Sequence, residues 1–230
     1  MKIANNLKQI HKNIVSICQN AGLPSNSVKL LAVSKTKPVE DLEQAYQAGQ
    51  RAFGENYVQE GVEKIEFFQA KHPDMEWHFI GPLQSNKTRL VAEYFDWMQT
   101  VDREKIAIRL NEQRPVDKSP LNVLIQINIS DEESKSGIKP ADMMALAKII
   151  ENLPHLRLRG LMAIPAATHD VAIQAQSFSA MHKLFVELQQ SLPNQQIDTL
   201  SMGMTDDMTA AIKCGSTMVR IGTAIFGSRN

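Results

Sequence analysis

Short apolar, β-branched runs alternate along this chain with longer stretches in which apolar residues recur every three or four positions. The runs at 28–35, 51–56, 76–81, 97–102, 121–130, 156–164, 199–203 and 217–226 read as strands. Helical spacing fills 39–49, 57–71, 87–94, 103–113, 140–152, 171–190 and 205–214. The fifth run, "NVLIQINIS", is mostly apolar throughout, as a strand buried on both faces should be. Punctuation agrees: Gly49 suits the position after a helix, Pro140 suits a first turn, and Thr205 suits an N-cap. Ahead of the first run, Ile3, Leu7, Ile10, Ile14 and Ile17 mark one face of a further helix.

Alternation repeated this often predicts a parallel sheet with helical crossovers. Eight strands in 230 residues fit a (β/α)8 TIM barrel better than an open doubly wound sheet of about six strands. The expectation is a single α/β barrel domain over residues 1–230 with an additional N-terminal helix. Its last strand reaches about Phe226, leaving no residues for a second domain.

Composition narrows the function classes. With 25 basic and 25 acidic residues, the net charge of zero supplies no field to attract nucleic acid or an anionic membrane. Cys18 and Cys214 stand far apart, in no metal-ligand spacing, and cannot form a disulfide framework. No run has the length of a membrane span or the apolar core of a signal peptide, so a cytoplasmic protein is expected, bound to neither membrane nor metal.

Barrels of this kind place their chemistry at the C-terminal ends of the strands. Lys35 ends the first run in "KLLAVSKTKP", where its amine either reaches out to water or is desolvated enough to attack carbonyls. Lys37 has the same parity, but Pro38 assigns it to the exit loop. Ser201, Gly203, Gly222 and Thr223 end the last two strands with small residues, the usual setting of a phosphate site in such barrels. Arg220 interrupts an apolar strand; it either pairs with Asp206, Asp207 or Asp102 or donates to a ligand acceptor such as a ring nitrogen. A lysine, a phosphate cradle and a placed arginine together suggest pyridoxal 5′-phosphate (PLP).

The segments "LLAVSKTKP", "AGQRAFGENYVQE", "WHFIGPLQSNK", "LIQINIS", "RLRGLMAI", "SMGMTDDM" and "GSTMVRIGTAIFG" occur in an order that resembles the YggS/PROSC family of PLP homeostasis proteins. The resemblance implies the barrel of fold-type III PLP enzymes, the alanine racemase group. It implies that Lys35 forms the Schiff base and that Ser201, Gly203, Gly222 and Thr223 hold the phosphate. It further implies that Arg220 faces the pyridine nitrogen and that Asn56 lies near the ring. The family usually reads "SMGMS"; Thr205 here keeps the hydroxyl.

A cationic arginine disfavours the ring proton that makes PLP a strong electron sink, and a racemase needs a second base that in its relatives comes from a separate domain. The implied role is therefore to bind PLP and supply apo-enzymes, with no catalytic residue and no robust turnover. An amino-acid racemase is the alternative, and a PLP-free Schiff-base aldolase ranks below both. A monomer is expected, since no unusual exposed apolar run is evident. His78 reads as an interior residue satisfied by a neighbour, and Met202, Met204 and Met208 as packing. Asp206 and Asp207 suit the first turn of a helix. Lys135 and Lys139, in the charged loop "SDEESKSGIKP", are candidates for attracting a second phosphate-bearing ligand.

Overall fold

A computed structural model describes residues 2–133 and 136–228. The helix α1 (Lys2–Asn20) buries Ile3, Leu7, Ile10, Ile14 and Cys18, one stripe at helical spacing. Eight strands then close a parallel barrel in sequence order. They are β1 (Lys29–Val33), β2 (Ala52–Glu55), β3 (Glu76–Phe79), β4 (Trp97–Val101), β5 (Leu121–Gln126), β6 (Leu156–Met162), β7 (Thr199–Ser201) and β8 (Met218–Ile221), which returns to pair with β1. Around them lie α2 (Val39–Gln47), α3 (Val58–Phe68), α4 (Thr88–Tyr94), α5 (Glu104–Gln113), α6 (Met143–Glu151), α7 (Val171–Ser191), α8 (Met208–Lys213) and α9 (Thr223–Phe226). The fold is the expected (β/α)8 barrel with an N-terminal helix. No helix among the described residues is long and apolar enough to cross a membrane.

Two layers of apolar contact hold it. The large one lies between sheet and helices, where Phe53, Phe68, Phe79 and Phe95 are all fully buried. Each such ring contributes about 1.5–3 kcal/mol by burial. The barrel lumen is smaller and split: Leu31, Ala52, Ile80 and Met218 form one cluster, and Trp97, Leu124 and Met162 another. Polar side chains link the two, because Gln99 Nε2 lies 3.2 Å from Met218 Sδ and His78 stacks on Trp97 at 5.0 Å.

Several boundaries differ from expectation at the end where the candidate residues sit. β1 stops at Val33, so Lys35 lies in the following turn, where Thr36 takes a left-handed φ of 63°. β8 stops at Ile221 instead of Phe226. The apolar residues after Gly222 coil into α9, which buries Ile225 and accepts a hydrogen bond from Asn6 Nδ2 at the Ile225 carbonyl, 2.8 Å away. α8 begins at Met208, three residues after Thr205, which therefore does not cap it. Asp207 occupies the N-cap position, but its carboxylate accepts the Met204 N–H at 2.6 Å and closes the preceding turn. Met202 is buried and Met208 packs on the core, whereas Met204 is exposed. Pro140 opens a 3-10 turn, Pro140–Asp142, that leads into α6. Lys139 is exposed just before it, and Lys135 lies outside the described residues.

Candidate functional site

Strands β2, β1, β8 and β7 are consecutive neighbours around the barrel, so their C-terminal ends form one continuous arc. Leu31 of β1 is in register with Arg220 of β8. Beyond them Gly222 approaches β1 so closely that a Cβ there would lie 3.1 Å from the Val33 carbonyl oxygen. Lys35 follows, half-buried, between the ends of β8 and β2. Lys37 serves elsewhere: its Nζ donates to the carbonyls of Gly227 and Ser228, each at 3.0 Å, and so ties down the chain after α9.

The turn carrying Lys35 rests on a buried ion network. Lys64 of α3 donates to the Ser34 carbonyl at 2.7 Å, to Glu55 Oε1 at 2.8 Å and to Glu60 Oε1 at 2.7 Å. The Ser34 hydroxyl donates to Glu55 Oε1 at 2.7 Å, and the Thr36 N–H donates to Glu60 Oε1 at 2.6 Å. Residues 34 and 36 are thus both clamped on either side of Lys35. Burial pushes the Glu55 carboxyl upward against the pull of Lys64. Next in the chain, Asn56 Oδ1 is buried with no protein partner. An acceptor in that condition costs free energy unless a ligand or water donor meets it.

Across the arc Arg220 is almost fully buried. No carboxylate among the described residues lies within ion-pair distance of it, so none of the three aspartates proposed as partners is paired with it. Instead Nη1 donates to Ser201 Oγ at 2.7 Å and Nη2 to the Ala163 carbonyl at 2.9 Å. Burial lowers its pKa to about 10, the charge of Asp207 opposing the shift. It remains a cation at neutral pH and keeps N–H groups beyond those two bonds.

Ser201 is fully buried, and its own proton goes to Gln99 Oε1 at 2.7 Å. Its hydroxyl is committed to Gln99 and Arg220, so it stands behind the arginine. Gly203 takes a φ of 102°, accepts the Arg220 N–H at 3.0 Å, and packs so tightly that a Cβ would meet that of Ala211 at 2.6 Å. Gly222 and Thr223 open α9, whose first N–H groups have no partner within the helix.

The arc therefore brings Lys35, Asn56, Gly203, Arg220, Gly222 and Thr223 together at neighbouring strand ends, with Ser201 one layer below. Among the described residues no group of three or more His, Cys, Asp or Glu could hold a metal ion. Residue types match the chemistry of a phosphate-bearing aromatic aldehyde: an amine, backbone donors at a glycine-bounded helix start, a buried cation and an unmet buried acceptor. Sequence reasoning missed the Glu55–Lys64 pair and Gln99. The first had a signal, a glutamate inside an apolar strand and a lysine four residues after Glu60 on one helix face.

The chain matches the family described as alanine racemase, N-terminal domain, over residues 5–230. It is 72% identical over 230 residues to a protein of Pasteurella multocida named pyridoxal phosphate homeostasis protein, covering 100% of this chain and 99% of that one. Among solved structures it resembles PipY of Synechococcus elongatus with PLP bound, at 36% identity and a TM-score of 0.84, covering 98% of this chain and 100% of that one. Alanine racemase of Corynebacterium glutamicum shares the fold at 17% identity and a TM-score of 0.69, over 97% of this chain and 62% of the racemase. By the family match and the identity to its relatives, the chain belongs to the alanine racemase N-terminal domain family, within the group of pyridoxal phosphate homeostasis proteins.

Proposed function

We propose that residues 1–230 form one PLP-binding domain that holds the cofactor through the Lys35 amine and takes part in intracellular PLP homeostasis and delivery. The observation that carries this reading is the pairing of β1 with β8, which sets Lys35 and Arg220 on adjacent strand ends. Asn56, with its buried unmet Oδ1, faces the ring. Backbone donors at Gly203, Gly222 and Thr223 take the phosphate, and Ser201 acts through Arg220. The names of the relatives and the bound PLP of PipY support the same ligand.

PLP supplies an electrophilic aldehyde and a ring that withdraws electrons best when its nitrogen is protonated. Arg220, cationic with a pKa of about 10, holds off that proton and weakens the withdrawal. The chain thus suits storage and release better than turnover. The relatives carry the name of homeostasis proteins, which accords with a role other than catalysis. The recipients on this reading are apo PLP-dependent enzymes in the cytoplasm, and the donor is a monomer.

A transfer assay tests it. PLP-loaded protein is expected to reactivate an apo PLP enzyme in the presence of a scavenger of free PLP, with no exchange of amino-acid α-protons in deuterated water. Reactivation no faster than that given by free PLP, or exchange with inversion at useful rates, would overturn the reading, the latter in favour of a racemase.

A further inference from the structure

Arg220 is one end of a hydrogen-bonded chain that crosses the barrel lumen. A guanidinium can only donate, so Ser201 Oγ accepts from it and must send its own proton to Gln99 Oε1, 2.7 Å away. The Gln99 amide nitrogen then faces His78 Nδ1 at 2.9 Å, which has to be the bare nitrogen of the ring. The remaining ring proton, on Nε2, goes to Glu76 Oε1 at 2.6 Å. Lys29 Nζ, at the N-terminal end of the barrel like Glu76, meets the same carboxylate oxygen at 2.5 Å.

Every donor along the chain points the same way, from a buried cation to a carboxylate. Burial keeps His78 below its usual pKa despite the bond to Glu76, so the ring is neutral, as the chain requires. Burial alone would raise Glu76, but the hydrogen bonds from His78 and Lys29 and the charge of Lys29 outweigh it and bring the carboxyl to about 2. Hydrogen bonds aligned in series polarise one another, and a buried charge without a direct partner gains most from that alignment.

We propose that Ser201, Gln99, His78 and Glu76 are positioning residues that aim and polarise Arg220 toward the ring nitrogen of PLP, so that the closed floor of the barrel helps set how tightly and in what protonation state the cofactor is held. This rests on the reading that Arg220 faces that ring. Trp97, stacked on His78 at 5.0 Å and capped by the Arg159 guanidinium at 4.7 Å, fixes the imidazole plane. Gln99 spans the lumen from β4 to β7, which explains why a long neutral amide sits in a strand whose other residues pack.

The test uses the full-length protein and PLP labelled with ¹⁵N in the ring. Gln99→Met removes both bonds at nearly constant volume and is expected to raise the PLP dissociation constant about five- to tenfold. It is also expected to move the ring-nitrogen resonance toward the protonated value. Glu76→Gln, at a position one-third exposed and so tolerant of change, is expected to do the same about two- to threefold. Arg220→Gln gives the reference shift. A normal resonance in both relay variants, beside a shift in Arg220→Gln, overturns the relay and leaves the PLP reading intact. Weaker binding with an unmoved resonance overturns it too, by showing a merely structural role. An Arg220→Gln protein with unchanged resonance removes the reading on which the relay depends.

Discussion

At the scale of single residues, position along the strands decides which side chains reach the arc of strand ends, and polarity alone does not reveal their partners. Lys35 and Arg220 are conspicuous because a charge at the end of an apolar run, or inside one, needs a reason. Ser201 is notable instead as a small polar residue ending the seventh strand, which suggests a phosphate donor; its buried hydroxyl donates to Gln99 and accepts from Arg220. Gln99 gave no signal, since one neutral amide in a strand does not reveal its partners. His78 carries a pH prediction. Its pKa is lowered in the folded protein by burial, so between that value and about 6.5 the unfolded chain binds the proton and the folded one does not. Stability is therefore present in full above pH 6.5 and falls as pH drops below it. Thermal unfolding is expected to shift down between pH 7.5 and 5.5, and His78→Phe should flatten that slope. The residual slope belongs partly to His11, also lowered by burial.

At the scale of elements, helix and strand cores were legible and their ends were not. The run after Gly222 has the residues of a strand, yet contact with α1 makes it the short helix α9. Likewise, the Thr205 signature yields to Asp207, because the turn before α8 is closed by the Met204 N–H. Long-range contacts decide such ends, and a local pattern does not contain them. The joint between β1 and α3 makes a prediction of its own. Lys64→Ala leaves Glu55 buried without its cation and frees the Ser34 carbonyl, at a cost of roughly 3–5 kcal/mol. Because the same bonds clamp the turn around Lys35, PLP affinity should fall with stability. The double variant Glu55→Gln/Lys64→Met removes the stranded charge and is expected to recover much of the stability by chemical denaturation but not the affinity. Recovery of both would show that the network does not position Lys35.

At the scale of the whole molecule, the barrel was legible because eight alternations of strand and helix survive small errors at every boundary. Closure of β8 onto β1 is what the linear pattern cannot display: it sets the ends of two strands far apart in sequence side by side, with Leu31 in register with Arg220. The helices build the outer core, the lumen is partly polar, and the arc at the strand ends collects the charges. On the proposed reading Lys35 holds PLP and Lys37 does not. The most direct measurement is borohydride reduction of the PLP-loaded protein followed by peptide mapping. The expected result is a single phosphopyridoxyl group on Lys35, with loss of visible absorbance in Lys35→Ala and its retention in Lys37→Ala. Label on Lys37 or another lysine, or a Lys35→Ala protein that keeps its colour, would contradict it.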